Sequence, residues 1–445
     1  MGVINVSFVS APSKDPPSAN AAKPRRCALR MGYNKGMKTF EDKRTALIQL
    51  PYAREQGSRK VLWIITDIHL LSPSLYRVGE GSFSFLHQHN LGKLFEAMPQ
   101  AMKEFRELAL SEHPDYVIIP GDLVLNGEAE SLFEIEELLS DLEAQGIHIA
   151  VIPGNHDIDS PYPYSFLEEE PAKTDSVSYE LFMERIGRFG YCQAFSKAPA
   201  TCSYALAIDE TLWLLALDAN TGEVPNTVDN STLAWAKGIL EEAEKKQINV
   251  ISLTHQNVLP QSTFMIKGFV LANAEEVRDL LVKYHVALNL CGHSHLQHRS
   301  QYESLTDICT GAACVWPLGF AVLAVDEANG ECLYQKREFS DHQEAAIRRM
   351  EELIERLLAR MQVEEGCGEE EKAEMIRFAD EVVRRNFSDM LEDRESYLNL
   401  PGWQLWNKYG KNDPSFRQLT SILLAEEGDA HIAAGVFSEK NAGGR

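Results

Sequence analysis

Three apolar runs near the start of the sequence all end in polar residues, and this repeat limits the folds open to the chain. One buried strand is predicted in each of the runs KVLWIITDIHL, PDYVIIPGDLVLNGE and IHIAVIPGNHD. Between the second and third runs lies EAESLFEIEELLSDLEAQG, whose apolar residues recur at helical spacing. A strand, a helix and a strand in this order predict a parallel βαβ unit.

The mixed pattern continues through the first three quarters of the sequence. Two apolar runs within residues 202–220 flank a polar turn and predict a hairpin. Helical segments then alternate with the strand-like runs INVISLTH and VALNLCGHSH, and short strands follow over 305–337. Sheets with helices between them predict a layered α/β sandwich.

Changes in composition divide the chain into four predicted parts. Residues 1–40 are rich in Pro, Ala and Ser, which predicts a disordered extension, and residues 41–340 carry the strands. Residues 341–430 have charge-rich helical periodicity and predict a C-terminal helical domain. Residues 431–445 are predicted to be a frayed tail.

The charge of the chain bears on its partners. A formal net charge of −23 disfavours broad binding to nucleic acid or to an anionic membrane. A small anionic substrate would also be repelled unless a local positive centre, such as a metal cluster, overrides the field. No apolar run reaches the ~18 residues that span a bilayer. The N-terminal run VINVSFV is short and lacks a basic flank, so we expect a cytoplasmic protein.

Polar side chains of metal-binding type follow the predicted strand ends. Because loops at the carboxyl ends of parallel strands converge on one crevice, these residues are expected to meet there. Singly, each could be a helix cap or a hydrogen-bonded core residue. Together, imidazoles, carboxylates and an amide oxygen suit transition-metal ions, and seven ligands suit two ions with Asp122 as the natural bridge. The candidates are Asp67, His69, Asp122, Asn155, His255, His293 and His295.

The order of the motifs resembles that of a known enzyme family. DxH at Asp67, GD at Asp122, GNHD at Asn155, a lone His255 and GHSH at His293 occur in the order found in calcineurin-like metallophosphoesterases. The resemblance covers about residues 60–335. GDLVLNGE and GNHD are most similar to the bacterial cyclic-nucleotide phosphodiesterase branch, although relatives often carry polar residues where this chain has Val124-Leu125.

The resemblance implies a fold and a division of the ligands. The fold would be a four-layer αββα sandwich, here with a C-terminal helical appendage. One metal ion would take Asp67, His69, Asp122 and His295, and the other Asp122, Asn155, His255 and His293. The identity of the two ions stays open among Mn, Fe, Zn, Co and Ni, with Mn, Fe or Zn favoured.

The same resemblance leaves His156 outside the ligand set. Two metal ions activate a water molecule and neutralise phosphoryl oxygens, but the leaving oxygen still needs a proton. His156 is expected to give it as a general acid, and Asp157 is expected to hold the other ring nitrogen of His156.

The segment 75–90 supplies the candidates for substrate binding. Arg77, His87 and His89 lie there, after the DxH turn, where a loop could cover the site. Arg77 is the best candidate for phosphate, since a guanidinium can bind two oxygens. A solvated loop is an equally good interpretation.

The predicted function is a binuclear phosphodiesterase that acts on small anionic diesters such as cyclic nucleotides. A phosphomonoesterase or protein phosphatase remains an alternative, because the metal site is common to all of them. A non-catalytic scaffold would be expected to lose ligands, and a nuclease would need a basic surface. Neither nucleic acid nor membrane is therefore expected as a partner.

Overall fold

The computed structural model describes residues 45–54, 57–90, 92–261, 267–359, 361–388, 391 and 393–424. The predicted extension, residues 1–40, and the predicted tail, residues 431–445, lie outside the described residues.

Fifteen strands occur within the described residues. In chain order they are β1 (Thr45–Gln49), β2 (Arg59–Ile64), β3 (Tyr116–Ile119), β4 (His148–Val151), β5 (Tyr164–Ser165), β6 (Ala172–Lys173), β7 (Ser196–Lys197), β8 (Tyr204–Ala207), β9 (Leu212–Leu217), β10 (Asn249–Thr254), β11 (Leu288–Cys291), β12 (His298–Tyr302), β13 (Leu305–Cys309), β14 (Gly319–Asp326) and β15 (Glu331–Glu338).

Eleven α-helices occur in the same part of the chain. They are α1 (Phe83–His89), α2 (Met98–Glu112), α3 (Ala129–Ala144), α4 (Tyr179–Arg185), α5 (Asn230–Lys246), α6 (Ala274–Lys283), α7 (Gln343–Leu358), α8 (Glu369–Phe387), α9 (Arg394–Tyr397), α10 (Pro401–Tyr409) and α11 (Pro414–Leu424). None of the described helices is both long enough and apolar enough to cross a bilayer.

Strands β5 and β6 pair only with each other, and the other thirteen strands form two large sheets. The first has the order β1-β15-β14-β2-β3-β4, and its strands β2, β3 and β4 are parallel. Helix α3 lies between β3 and β4, which confirms the predicted βαβ unit. The second sheet has the order β12-β13-β11-β10-β9-β8-β7. Strands β8 and β9 pair antiparallel, which confirms the predicted hairpin.

The alternation of side chains along the strands builds the layers. Leu62 and Ile64 of β2 pack in the core between the two sheets, whereas Trp63 points to the other face and joins the core with α2 and α3. The outer face of the second sheet packs on α5 and α6. The protein is therefore an α/β sandwich of four layers, helix, sheet, sheet and helix, as expected.

The C-terminal helices pack on the outer face of the first sheet. Met350 and Leu353 of α7 belong to the same apolar core as Trp63. Within the helical region, the fully buried Trp406 donates a hydrogen bond to the Met375 carbonyl over 2.8 Å. The predicted helical appendage is present over α7 to α11.

Candidate metal centre

The seven candidate ligands all follow the carboxyl ends of parallel strands. Three of these strands, β2, β3 and β4, belong to the first sheet, and two, β10 and β11, belong to the second. The strand ends of the two sheets meet at one edge of the sandwich, so that residues more than 200 positions apart come into contact. The structure brings together Asp67, His69, Asp122, Asn155, His255, His293 and His295.

The first group of donor atoms comes from both sheets. Asp67, His69, Asp122 and His295 each place one donor atom within 4.8 Å of the others. The Nε2 atoms of His69 and His295 are 3.1 Å apart, and His295 Nε2 lies 3.4 Å from Asp67 Oδ1. These are the four residues expected to hold one ion.

The second group shares Asp122 with the first. Asp122, His255 and His293 place donor atoms within 4.8 Å of one another. His255 Nε2 lies 3.1 Å from Asn155 Oδ1. Asn155 is exposed and His293 is half-buried, so this side of the centre opens to solvent.

These separations fit metal coordination. Ligand atoms that are each about 2.0–2.2 Å from a common ion lie roughly 3–3.5 Å from one another. Asp122 Oδ2 is 3.5 Å from His69 Nε2 and 3.4 Å from His255 Nε2, so a single oxygen atom faces both groups. The other oxygen, Oδ1, accepts a hydrogen bond from the main-chain N–H of His156. The donor set therefore fits two ions with Asp122 between them.

Carbonyl groups behind the ligands fix the histidine tautomers. His255 Nδ1 donates to the Pro120 carbonyl over 2.8 Å, which leaves Nε2 free to bind a cation. His293 uses the opposite nitrogen, because its Nε2 donates to the Gly268 carbonyl over 2.7 Å. Each ring is thus oriented before any ion arrives.

The charges of the centre are complementary. Burial alone would raise the pKa of Asp122, but the surrounding histidines, His255 foremost, hold it well below its usual range. Burial lowers the pKa of His69 well below its usual range, which keeps this ring neutral as a ligand must be. In His255, Asp122 overcomes burial and raises the pKa to about 9. A metal ion would have to displace that proton.

Backbone strain concentrates at the same residues. A positive φ is uncommon outside glycine and costs roughly 1–2 kcal/mol per residue. Five of the seven candidate ligands adopt it, with φ between 46° and 68°, namely Asp67, His69, Asp122, His293 and His295. Strain of this kind persists where the surrounding structure enforces it, and it clusters at functional sites.

Two motif glycines are required by close approach to the ligands. A Cβ atom on Gly154 would collide with Asp122 Oδ1, and one on Gly292 would collide with Asp67 Oδ2. The glycines of the GNHD and GHSH motifs therefore leave room for the two carboxylates.

We expect Gly154→Ala to weaken metal binding by about 10–100-fold, the range typical of mutations at residues that support the ligands. The added methyl group would push Asp122 from its position. Gly238→Ala is the matched control, because the space around Gly238 on α5 is open. Chelator-competition titrations would measure both affinities. Equal affinities in the two variants would contradict this role of Gly154.

His156 lies next to the centre, but the prediction that Asp157 holds its ring was wrong. Its Nδ1 donates to the Leu125 carbonyl over 2.7 Å and lies 3.1 Å from Asn126 Oδ1. Asp157 instead accepts from the main-chain N–H groups of Val124 and Gly154. The Asp157 carboxylate thus links the loop of Val124 to the loop of Gly154, because the turn directs its side chain toward their main-chain N–H groups.

The environment of His156 constrains its chemistry. Burial lowers the pKa of His156 to about 4, against the opposing charge of Asp122. Because Nδ1 must be the donor to a carbonyl oxygen, the neutral ring has no proton on Nε2. A role as general acid therefore requires the imidazolium form, which a bound anion would favour.

The three candidates for substrate binding lie away from the ligands. Arg77 is exposed. His87 Nε2 lies 3.5 Å from a carboxylate oxygen of Glu352 on α7, and His89 Nδ1 donates to the Phe85 carbonyl. Within the described part of the chain, none of the three contacts a candidate ligand.

Two buried titratable residues near the centre were not among the predicted site residues. Glu128, in the GDLVLNGE motif, accepts a hydrogen bond from the Asn126 N–H, and burial raises its pKa to about 8. Lys93 is 1% exposed and follows α1. An isolated lysine carries no motif, so nothing in the sequence marked it.

The calcineurin-like phosphoesterase family model matches residues 60–297, just over half of the 445 residues. The chain belongs to this family. Its fold and its clustered Asp and His residues are those of a metal-dependent phosphoester hydrolase.

Several solved structures are similar to this one. A dimetal phosphatase from Danio rerio is 12% identical, with 63% of this chain and 96% of that chain covered and a TM-score of 0.49. The purple acid phosphatase PPD1 from yellow lupin, Lupinus luteus, is 15% identical, with 66% and 53% covered and a TM-score of 0.41. GAP50 of Plasmodium is 12% identical, with 66% and 94% covered and a TM-score of 0.39. No curated protein matches the sequence.

Proposed function

We propose that this protein hydrolyses small phosphate diesters at a centre of two metal ions held by the seven candidate ligands. The observation that carries the proposal is the position of Asp122 Oδ2, within 3.5 Å of a histidine nitrogen in each ligand group. When bound, such a pair of ions supplies positive charge that polarises a phosphoryl group and lowers the pKa of water.

The residues of the chain perform the other tasks. The strained turns and the carbonyl partners of His255 and His293 hold the ligands in place. His156 stands beside His69, with 4.8 Å between the ring centroids, and its Nε2 is the atom proposed to give a proton to the leaving oxygen. The Leu125 carbonyl orients that ring.

Two arguments support diesters as substrates. The GDLVLNGE and GNHD motifs are similar to those of cyclic-nucleotide phosphodiesterases, which is an argument by analogy. The second argument is the charge of −23, which repels a dianionic monoester more than a monoanionic diester. The same charge supports a small ester over nucleic acid.

One observation favours a second candidate, phosphomonoester hydrolysis. From the sequence, Arg77 was the candidate cation for a second phosphate charge, but Arg77 is exposed and makes no hydrogen bond or ion pair with a candidate ligand among the described residues. Lys93, however, is buried, and the charges of Asp122 and Asp67 oppose the lowering of its pKa by burial, so we infer that its ammonium group supplies such a cation. The charge argument for diesters is therefore weaker than the sequence implied.

We expect kcat/KM to be higher for bis-p-nitrophenyl phosphate and for 2′,3′- or 3′,5′-cyclic nucleotides than for p-nitrophenyl phosphate. All substrates would be compared in one Mn²⁺ buffer with the protein fully loaded with metal. A monoester value well above every diester value would replace the phosphodiesterase proposal by the second candidate.

A further inference from the structure

Lys93 is a buried lysine whose side chain has no hydrogen-bond or ion-pair partner among the described residues. It is 1% exposed and ranks among the largest fully buried side chains of the described residues. Within that part of the chain, no hydrogen bond or ion pair reaches its ammonium group, whereas every other buried lysine or arginine of the core has one, as Lys336 does with the Gly311 carbonyl. Buried charges are costly unless they are paired, so this ammonium needs an acceptor from elsewhere.

Main-chain contacts place Lys93 beside the metal centre. The backbone of Lys93 forms an isolated antiparallel β-bridge with Val315. The Leu94 N–H donates to the Cys314 carbonyl over 2.7 Å. The same 312–315 loop also reaches the ligands. The Ala313 N–H donates to the carbonyl of Thr66, which precedes Asp67, and the Ala312 N–H donates to the His295 carbonyl.

The charges around Lys93 include those of the centre. Burial lowers the pKa of the Lys93 ammonium, and Cys314, Asp122, Asp67 and Glu128 oppose that effect. Lys93 in turn helps to lower the pKa of both His69 and His156. The ammonium group therefore shares an electrostatic environment with the ligands and with the proposed general acid.

The C-terminal helices hold the segment that carries Lys93. The buried Arg349 of α7 pairs with Glu96, three residues after Lys93. Arg356 of α7 donates to the Gln88 carbonyl over 3.1 Å, and His87 faces Glu352. Contacts on both sides of Lys93 therefore fix the position of its backbone. A fixed position favours a role in binding over that of a mobile side chain at the surface.

We propose that Lys93 binds a non-bridging phosphoryl oxygen of the substrate at the dimetal centre, as a specificity-determining residue. With both ions bound, the carboxylates of Asp67 and Asp122 are engaged by metal, and an anionic oxygen is the acceptor that completes the environment of the ammonium group. A lysine serves as a point charge for phosphate. This inference rests on the proposed function.

The test compares Lys93→Met with Lys103→Met, which removes an exposed lysine from the nearby helix α2. Inorganic phosphate is titrated calorimetrically into each metal-loaded protein, and the metal content is measured in parallel. We expect Lys93→Met to keep both ions and to weaken phosphate binding by about 10–100-fold, the range of a charge-assisted hydrogen bond. Lys103→Met should bind phosphate like the wild type.

Two further readouts separate a binding role from a structural one. Lys93→Met should reduce kcat/KM more for p-nitrophenyl phosphate than for bis-p-nitrophenyl phosphate, because the monoester has the extra charge. Unchanged phosphate affinity with both ions present would overturn the inference. Loss of metal from both Lys93→Met and Lys93→Gln would also overturn it, since Lys93 would then support the ligand loops. A metal-loaded wild type that hydrolyses no ester would refute the proposed function instead, whatever Lys93 does to phosphate binding.

Discussion

The His156→Ala variant is expected to keep both metal ions and to lose about 10²–10⁴-fold in kcat/KM, the typical contribution of general acid catalysis. The main-chain N–H of His156, which donates to Asp122 Oδ1, is retained in the variant, so the bridging carboxylate stays in place. Only the imidazole, held by the Leu125 carbonyl, is lost.

The size of the loss should depend on the leaving group. p-Nitrophenolate leaves without much help from an acid, so its esters should be affected least. His148→Ala is the control, because His148 is exposed at the start of β4, the strand that leads to His156. If His156→Ala loses both ions, the residue is a ligand or a support for one, and its role as an acid is wrong.

The Asp122→Asn variant is expected to lose activity and to weaken both metal sites together. The Oδ2 atom faces both ligand groups, and a neutral amide gives neither ion the charge of a carboxylate. Loss of a residue that only supports the ligands typically weakens metal binding by about 10–100-fold. We expect the loss of metal affinity in Asp122→Asn to be larger. Metal content and affinity would be measured by mass spectrometry and chelator competition.

The comparison variant for Asp122→Asn is His295→Ala. His295 belongs to only one ligand group, so its loss should weaken chiefly one site. If Asp122→Asn loses one ion and retains the other with unchanged affinity, Asp122 is not a bridge.

The fold and the seven clustered side chains could be predicted because the strands carry a strong signal. A buried parallel strand is a continuous apolar run, and its carboxyl end marks where loops meet. Asp67, Asp122 and His255 each follow such a run directly. The apolar Val124 and Leu125 are completely buried. The cytoplasmic location stays a prediction.

Side-chain direction and long-range packing could not be predicted in the same way. The partner of Asp157 depends on the geometry of one turn, which sequence spacing does not define. The orientation of α1, which turns His87 toward Glu352, depends on a helix more than 250 residues later in the chain. The position of Lys93 has a similar origin, since Arg349 of α7 pairs with Glu96, three residues after Lys93.

The most direct test is a crystal structure of the Mn²⁺-reconstituted protein with an anomalous difference map. We expect two peaks about 3.5–4 Å apart. One should lie among Asp67, His69, Asp122 and His295, and the other among Asp122, Asn155, His255 and His293, with Asp122 Oδ2 between them. A single peak, or two peaks that share no oxygen of Asp122, would contradict a binuclear centre bridged by this carboxylate.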